Sequence, residues 1–135
     1  YYASRGLGDV YKRQPGGIFV FDLKTIELYR SIGESVIAED REDCSFIWDN
    51  YFDEEDCINE YMLSIFVKGD DNRYDKFSEE HYQRAYTVEE IKEALNLAGL
   101  EFVTVYDAFT RNEPNSESER IYVVARECQK NQVSK

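Results

Sequence analysis

Residues 18–21 read Ile-Phe-Val-Phe, an unbroken apolar run that follows Pro15-Gly16-Gly17 and ends at Asp22. A strand with one wet face alternates apolar and polar side chains. A run with no polar residue on either side predicts a strand covered on both faces, as in the parallel sheet of an α/β protein. Four residues cannot make a sheet alone, so this run demands neighbouring strands and helical layers. One helix is expected at once: Ile26, Tyr29 and Ile32 recur at helical spacing within 24–32, and Gly33 is placed to stop it. The residues before Pro15 carry no period, cap or turn signal leading into the strand.

The middle of the chain differs in kind. From Glu39 to Glu60 there are ten acidic residues and one basic one around Ser45-Phe-Ile-Trp-Asp-Asn-Tyr-Phe52. Phe46 and Trp48 alternate with Ser45, Ile47 and Asp49, a strand pattern with large rings on one face. Asp53-Glu-Glu-Asp56 reads as a solvated turn, after which Tyr61, Leu63, Ile65 and Val67 fall on one side of a second strand. Gly69-Asp-Asp-Asn72 is a turn signal, and residues 73–86 make a third extended stretch. Three strands with short connections predict an antiparallel meander over 39–86.

The clearest helix follows. Thr87 is its N-cap and Glu90 completes a capping box. Ile91, Ala94, Leu95 and Ala98 form the expected apolar face, Gly99 closes the helix, and Leu100 is placed for the accompanying contact. Residues 101–109 and 120–127 are two strands joined by a polar loop containing Pro114. That loop is too short for a crossover helix, so the strands should pair antiparallel. The tail at 129–135 is polar and expected to fray.

Charge and cysteines narrow the function classes. The formal net charge is −12, and residues 1–14 hold three basic side chains against one acidic, so the remainder is more negative still. Such a surface repels phosphate backbones, which argues against direct nucleic-acid binding. No apolar run reaches membrane-spanning length. Cys44, Cys57 and Cys128 are odd in number and widely spaced, with His81 the single histidine. Neither a metal site nor a disulfide framework is expected, and a cytoplasmic setting fits.

The order of Pro-Gly-Gly strand, helix, antiparallel insert, capped helix ending in Ala98-Gly99-Leu100, strand, long loop and strand resembles the C-terminal half of a class I S-adenosylmethionine-dependent methyltransferase. The segment Glu79-Glu-His-Tyr-Gln-Arg-Ala-Tyr-Thr-Val-Glu-Glu-Ile91 is similar to the return from such an insert in small bacterial members of the family. The resemblance implies an α/β fold: the fifth to seventh strands of a Rossmann-like seven-stranded sheet, the last one antiparallel, with a three-stranded antiparallel insert. On this reading 15–38 is strand and helix of the core, 39–86 a substrate-side insert, and 87–128 the helix and strand pair that complete the core.

Residues 1–14 are set apart. Asp9 to Gln14 is what translation of GATGTGTATAAGAGACAG yields, which resembles the transposon end used to fragment DNA for sequencing. We expect 1–14 to be a disordered, translated adapter ahead of a truncated gene. The glycines of Arg5-Gly-Leu-Gly8 follow no strand, so they are not read as a nucleotide loop. The family's glycine-rich turn after the first strand and the acidic residue after the second are missing. The resemblance therefore implies S-adenosylmethionine in the intact enzyme and no donor binding by this chain.

The substrate side is what remains. Asp22 stands at the carboxyl end of the first strand, where it either contacts substrate or caps the helix behind it. Trp48, Tyr51, Tyr82 and Tyr86 are candidate walls for the acceptor, since methyl transfer needs an aligned, water-shielded nucleophile. They are equally suited to filling a seam between insert and core. Strand alternation puts Tyr82, Arg84 and Tyr86 on one face and His81, Gln83 and Ala85 on the other. Arg84 is a candidate clamp for a carboxylate or phosphate, or a structural ion pair; His81 is a candidate general base, or a structural histidine. The methyl acceptor is unidentified, with a small molecule favoured. A second class stays open: a self-standing α+β module that binds a small apolar or cationic ligand without catalysis. A protein-interaction surface on the acidic insert is a third.

Overall fold

The structure is a computed structural model that describes residues 15–128. The expected leader (1–14) and frayed tail (129–135) lie outside the described residues. In chain order the elements are β1 (Ile18–Lys24), α1 (Ile26–Ile32), β2 (Ser35–Asp40), β3 (Cys44–Asp53), β4 (Ile58–Lys68), β5 (Tyr74–Arg84), α2 (Val88–Leu97), β6 (Leu100–Asp107) and β7 (Arg120–Glu127). They fall into two units, divided between Leu23 and Lys24 and again between Tyr86 and Thr87.

The first unit is a helix on a three-stranded sheet of order β1-β7-β6, so the last strand in sequence lies between the other two. β6 and β7 run antiparallel, as expected, with an irregularity between Phe102 and Thr104. Ile121, Val123 and Ala125 alternate along β7 and are buried with Leu95 and Leu100. Phe19, Phe21 and Leu23 of β1 and Val88 and Ile91 of α2 pack against them. The helical stripe is therefore Val88, Ile91 and Leu95; Ala94 and Ala98, expected on it, are exposed. Both halves of the capping box form: Thr87 Oγ1 accepts from the Glu90 N–H at 3.2 Å, and Glu90 Oε2 accepts from the Thr87 N–H at 2.8 Å. Gly99 closes the helix at φ +75°, where an L side chain is strained.

β1 corrects the opening expectation. Its Phe19, Phe21 and Leu23 face the core, but Ile18 and Val20 are 55% and 58% exposed. α2 covers one face of this sheet, and among the described residues of the unit no second helix covers the other. The absence of polar residues from 18–21 thus marks a strand apolar on both sides and buried on one.

The second unit is an antiparallel sheet of order β2-β3-β4-β5. It has four strands where the turn signals predict three. The added strand is β2, whose Val36 lies opposite Asp49 and Ile37 opposite Trp48. It is an exposed edge with little alternation of its own, so pairing to β3 and not local pattern makes it a strand. Both predicted turns are present. Asp53 accepts from the Glu55 and Asp56 N–H groups at 3.0 and 3.2 Å, and the Asn72 N–H donates to Gly69 O at 3.2 Å. α1 groups with this sheet rather than with β1: Tyr29 is buried and stacks on Phe52 with centroids 5.8 Å apart.

Beneath α1 lies a buried polar clasp. Asn50 and Asn59 are 2% and 1% exposed, and each Nδ2 donates to the other's Oδ1 at 2.9 Å. Asn50 Nδ2 also donates to Gly33 O at 2.8 Å, tying the end of α1 to β3. Deleting one amide strands the other without solvent, which costs about 1–3 kcal/mol. Asn59→Ala is accordingly expected to lower the unfolding free energy by about 2 kcal/mol in urea denaturation, and the Asn50→Leu/Asn59→Leu pair to cost less than the two single changes summed.

Candidate functional site

In a meander, side chains alternate between two faces, and the register decides which of them meet. Opposite pairs run Asn50–Tyr61–His81 and Trp48–Leu63–Glu79 across β3, β4 and β5. These share the face that carries α1. On it three rings form a continuous row: Trp48 and Tyr61 have centroids 5.0 Å apart, and Tyr61 and His81 stack at 4.7 Å with 18° between their planes. His81 Nε2 lies 3.0 Å from Glu79 Oε2. Beside the row is an apolar groove of about 280 Å³ lined by Cys44, Phe46, Trp48, Leu63 and Ile65. The Trp48 Nε1–H is buried there without a hydrogen-bond acceptor.

Tyr51, Tyr82 and Arg84 lie on the opposite face. Tyr51 faces Glu60, which in turn faces Tyr82. The Tyr82 hydroxyl donates to Glu80 Oε1 at 2.7 Å. That hydrogen bond, with lesser contributions from desolvation and from the charges of Glu80 and Glu60, raises the Tyr82 pKa above its ordinary value. β5 ends at Arg84, and Tyr86 follows in an irregular segment, its ring centroid 4.9 Å from the Arg84 guanidinium carbon. Asp22 belongs to the first unit, where it accepts from Arg120 Nη1 across β1 and β7. It does not cap α1; Thr25 does, its hydroxyl accepting from the Leu28 N–H at 3.2 Å.

The structure thus brings Trp48 and His81 together and separates them from Tyr51, Tyr82 and Arg84 by the thickness of a sheet. Of the candidate walls, Trp48 lies on one face and Tyr51 and Tyr82 on the other. The link between Trp48 and His81 is Tyr61, which the sequence reading placed only on an apolar side; equal parity on paired strands is the signal that finds it. Glu79 and Arg120 were also unforeseen, because each partnership depends on how side chains of separate positions settle. Among the described residues no group of His, Cys, Asp and Glu is placed to hold a metal, and Cys44, Cys57 and Cys128 are free thiols. None of the described helices is long and apolar enough to cross a membrane.

No family model matches the chain. It is 33% identical over 113 residues to "Putative methyltransferase YqeM" of Bacillus subtilis (strain 168), covering 83% of this chain and 45% of that protein. A protein of the same description from Geobacillus sp. (strain WCH70) is 30% identical over 111 residues, covering 82% and 45%. The crystal structure of a S-adenosylmethionine-dependent methyltransferase from Clostridium acetobutylicum ATCC 824 superimposes with a TM-score of 0.73 at 26% identity, over 86% of this chain and 46% of that one. The chain carries part of the class I methyltransferase fold.

The chain spans about half the length of the curated relatives it matches. Within the methyltransferase fold, the order β1-β7-β6 with an antiparallel final strand is the arrangement expected for the fifth to seventh strands. The Tyr82–Glu80 bond gives a direct check on the local electrostatics. With ¹³C-labelled tyrosine, Tyr82 should titrate at higher pH than an unpartnered tyrosine, and Glu80→Gln should bring it back toward the ordinary range.

Proposed function

We propose that this chain is the acceptor-binding part of a cytoplasmic methyltransferase that uses S-adenosylmethionine to methylate a small molecule, and that it does not hold the donor by itself. The observation that carries the reading is its match to about half of each methyltransferase relative, combined with a ring-lined, carboxylate-backed histidine on one sheet face. Among the described residues no glycine-rich turn leads from a strand into a helix. Gly16 and Gly17 precede β1, and β1 enters α1 through Thr25. The residues present therefore do not fit the donor's nucleotide half. Ile18 and Val20 are apolar and more than half exposed, as positions that a further layer of the relatives' fold covers would be.

An acceptor can touch only one face of the four-stranded sheet. We assign that role to the face with the ring row: Trp48 and Tyr61 wall the acceptor and the adjoining groove takes its apolar part. His81 receives the proton that the acceptor atom loses on methylation, leaving the imidazolium beside Glu79. Tyr51, Tyr82, Arg84 and Tyr86 are not part of this acceptor wall.

Two measurements test this. Calorimetric titration of S-adenosylmethionine into the chain should give no saturable heat in the micromolar range; a micromolar Kd overturns the donor assignment. The full-length protein should transfer labelled methyl groups into the small-molecule fraction of a cell extract, and His81→Ala should slow that transfer by roughly a hundredfold, the lower range for a general base. Label found only in protein or nucleic acid, or an unchanged rate in His81→Ala, overturns the acceptor assignment.

A further inference from the structure

Among the described residues, the face of the four-stranded sheet opposite α1 carries large apolar side chains that stay exposed. Val36, Ile47, Tyr51, Met62, Tyr74 and Tyr82 all point to it by register, and each is between 42% and 65% exposed. The buried cluster of this unit, Tyr29, Phe52 and Ala85, lies on the other side. An apolar surface spread over four strands is costly to leave in water and marks a docking surface rather than scattered exposed residues.

Charge selects what docks. Carboxylates are set between the apolar residues at the middle of this face: Glu60 stands between Tyr51 and Tyr82, and Met62 stands between Asp49 and Glu80, while the cations of the face, Lys68, Lys76 and Arg84, stand toward the strand ends. Tyr ring faces and carboxylates both attract a cation, and together they exclude anions. A second copy of the chain docked with this middle against its own sets Asp49, Glu60 and Glu80 against like charges. Nucleic acid and anionic membrane surfaces are repelled for the same reason. The depression among Asp49, Tyr51, Glu60, Tyr61, Met62 and Glu80 is about 170 Å³. That is smaller than the roughly 300–1,000 Å³ of a small-molecule pocket, but it suits the end of one long cationic side chain. A free amine filling it leaves Val36, Ile47 and Tyr74 wet. A segment alternating basic and apolar residues covers them.

We propose that this face binds a lysine-bearing basic segment of a protein partner, with an ammonium group seated between Tyr51 and Tyr82 over Glu60 and apolar side chains lying on Ile47 and Met62. The methyl-transfer assignment is on the opposite face, so either reading can fail without the other.

The test uses the full chain and a fluorescent octapeptide alternating lysine with alanine or valine, read by anisotropy. Binding is expected, weakening on the order of tenfold between about 0.05 and 0.3 M salt as screening grows. Tyr51→Ser/Tyr82→Ser and Glu60→Gln/Glu80→Gln should each weaken it by about tenfold or more, the loss of a desolvated cation–ring or charge contact. Asp70→Asn/Asp71→Asn, at the exposed turn between β4 and β5, removes as much charge elsewhere and should leave affinity unchanged. Circular dichroism reports whether each variant keeps the sheet. No binding at millimolar peptide, equal loss in the turn variant, no loss in the face variants, or n-butylamine binding as tightly as the peptide would each overturn the proposal.

Discussion

The amides of Asn50 and Asn59 meet inside the four-stranded sheet, and much else follows from where they meet. A buried amide tolerates no vacancy, so β3 and β4 settle where these two side chains satisfy each other and Gly33 O. A one-residue slip between those strands removes both amides from their partners and exchanges the two faces of β3. With the register pinned, Trp48, Tyr61 and His81 share one face, and Tyr51, Glu60 and Tyr82 share the other. The chemistry assigned to each face depends on that constraint.

The two faces are different environments made from one set of strands. The side with α1 is aromatic and apolar, with an imidazole beside a carboxylate, and is the face we propose for the acceptor. The other side mixes exposed rings with the carboxylates Asp49, Glu60 and Glu80 at its middle and suits a cation there. In the first unit, packing is one-sided in the same way: α2 covers β1, β7 and β6 through Leu95, Ile91 and Val88, while Ile18 and Val20 stay exposed. Alternation in a strand states which residues share a side. It does not state which side is covered.

Local signals were read well wherever the physics is local. The capping box of Thr87 and Glu90, the stop at Gly99 and the turns at Asp53 and Gly69 each depend on a few neighbouring residues, and each is present. Ser35–Asp40 has little pattern of its own and is a strand only through its pairing with β3. Alanine suits either side of a helix, so Ala94 and Ala98 fit the apolar stripe by spacing alone; packing chose Val88, Ile91 and Leu95. The site was half legible. His81 and Trp48 stood out as residue types, but their connection through Tyr61 and the support of Glu79 needed the register and the rotamers.

By itself the sequence determined that this chain has an α/β core with a capped helix, an acidic antiparallel insert and a final antiparallel strand, because periodicity, caps and turn residues act over short spans of chain. Only the tertiary structure decided that the insert has four strands, that α1 packs on it, that Asp22 pairs with Arg120, and that the candidate residues divide between two faces. Those outcomes depend on contacts between residues distant in sequence, whose energies exist only once the strands are in register and the helices have docked.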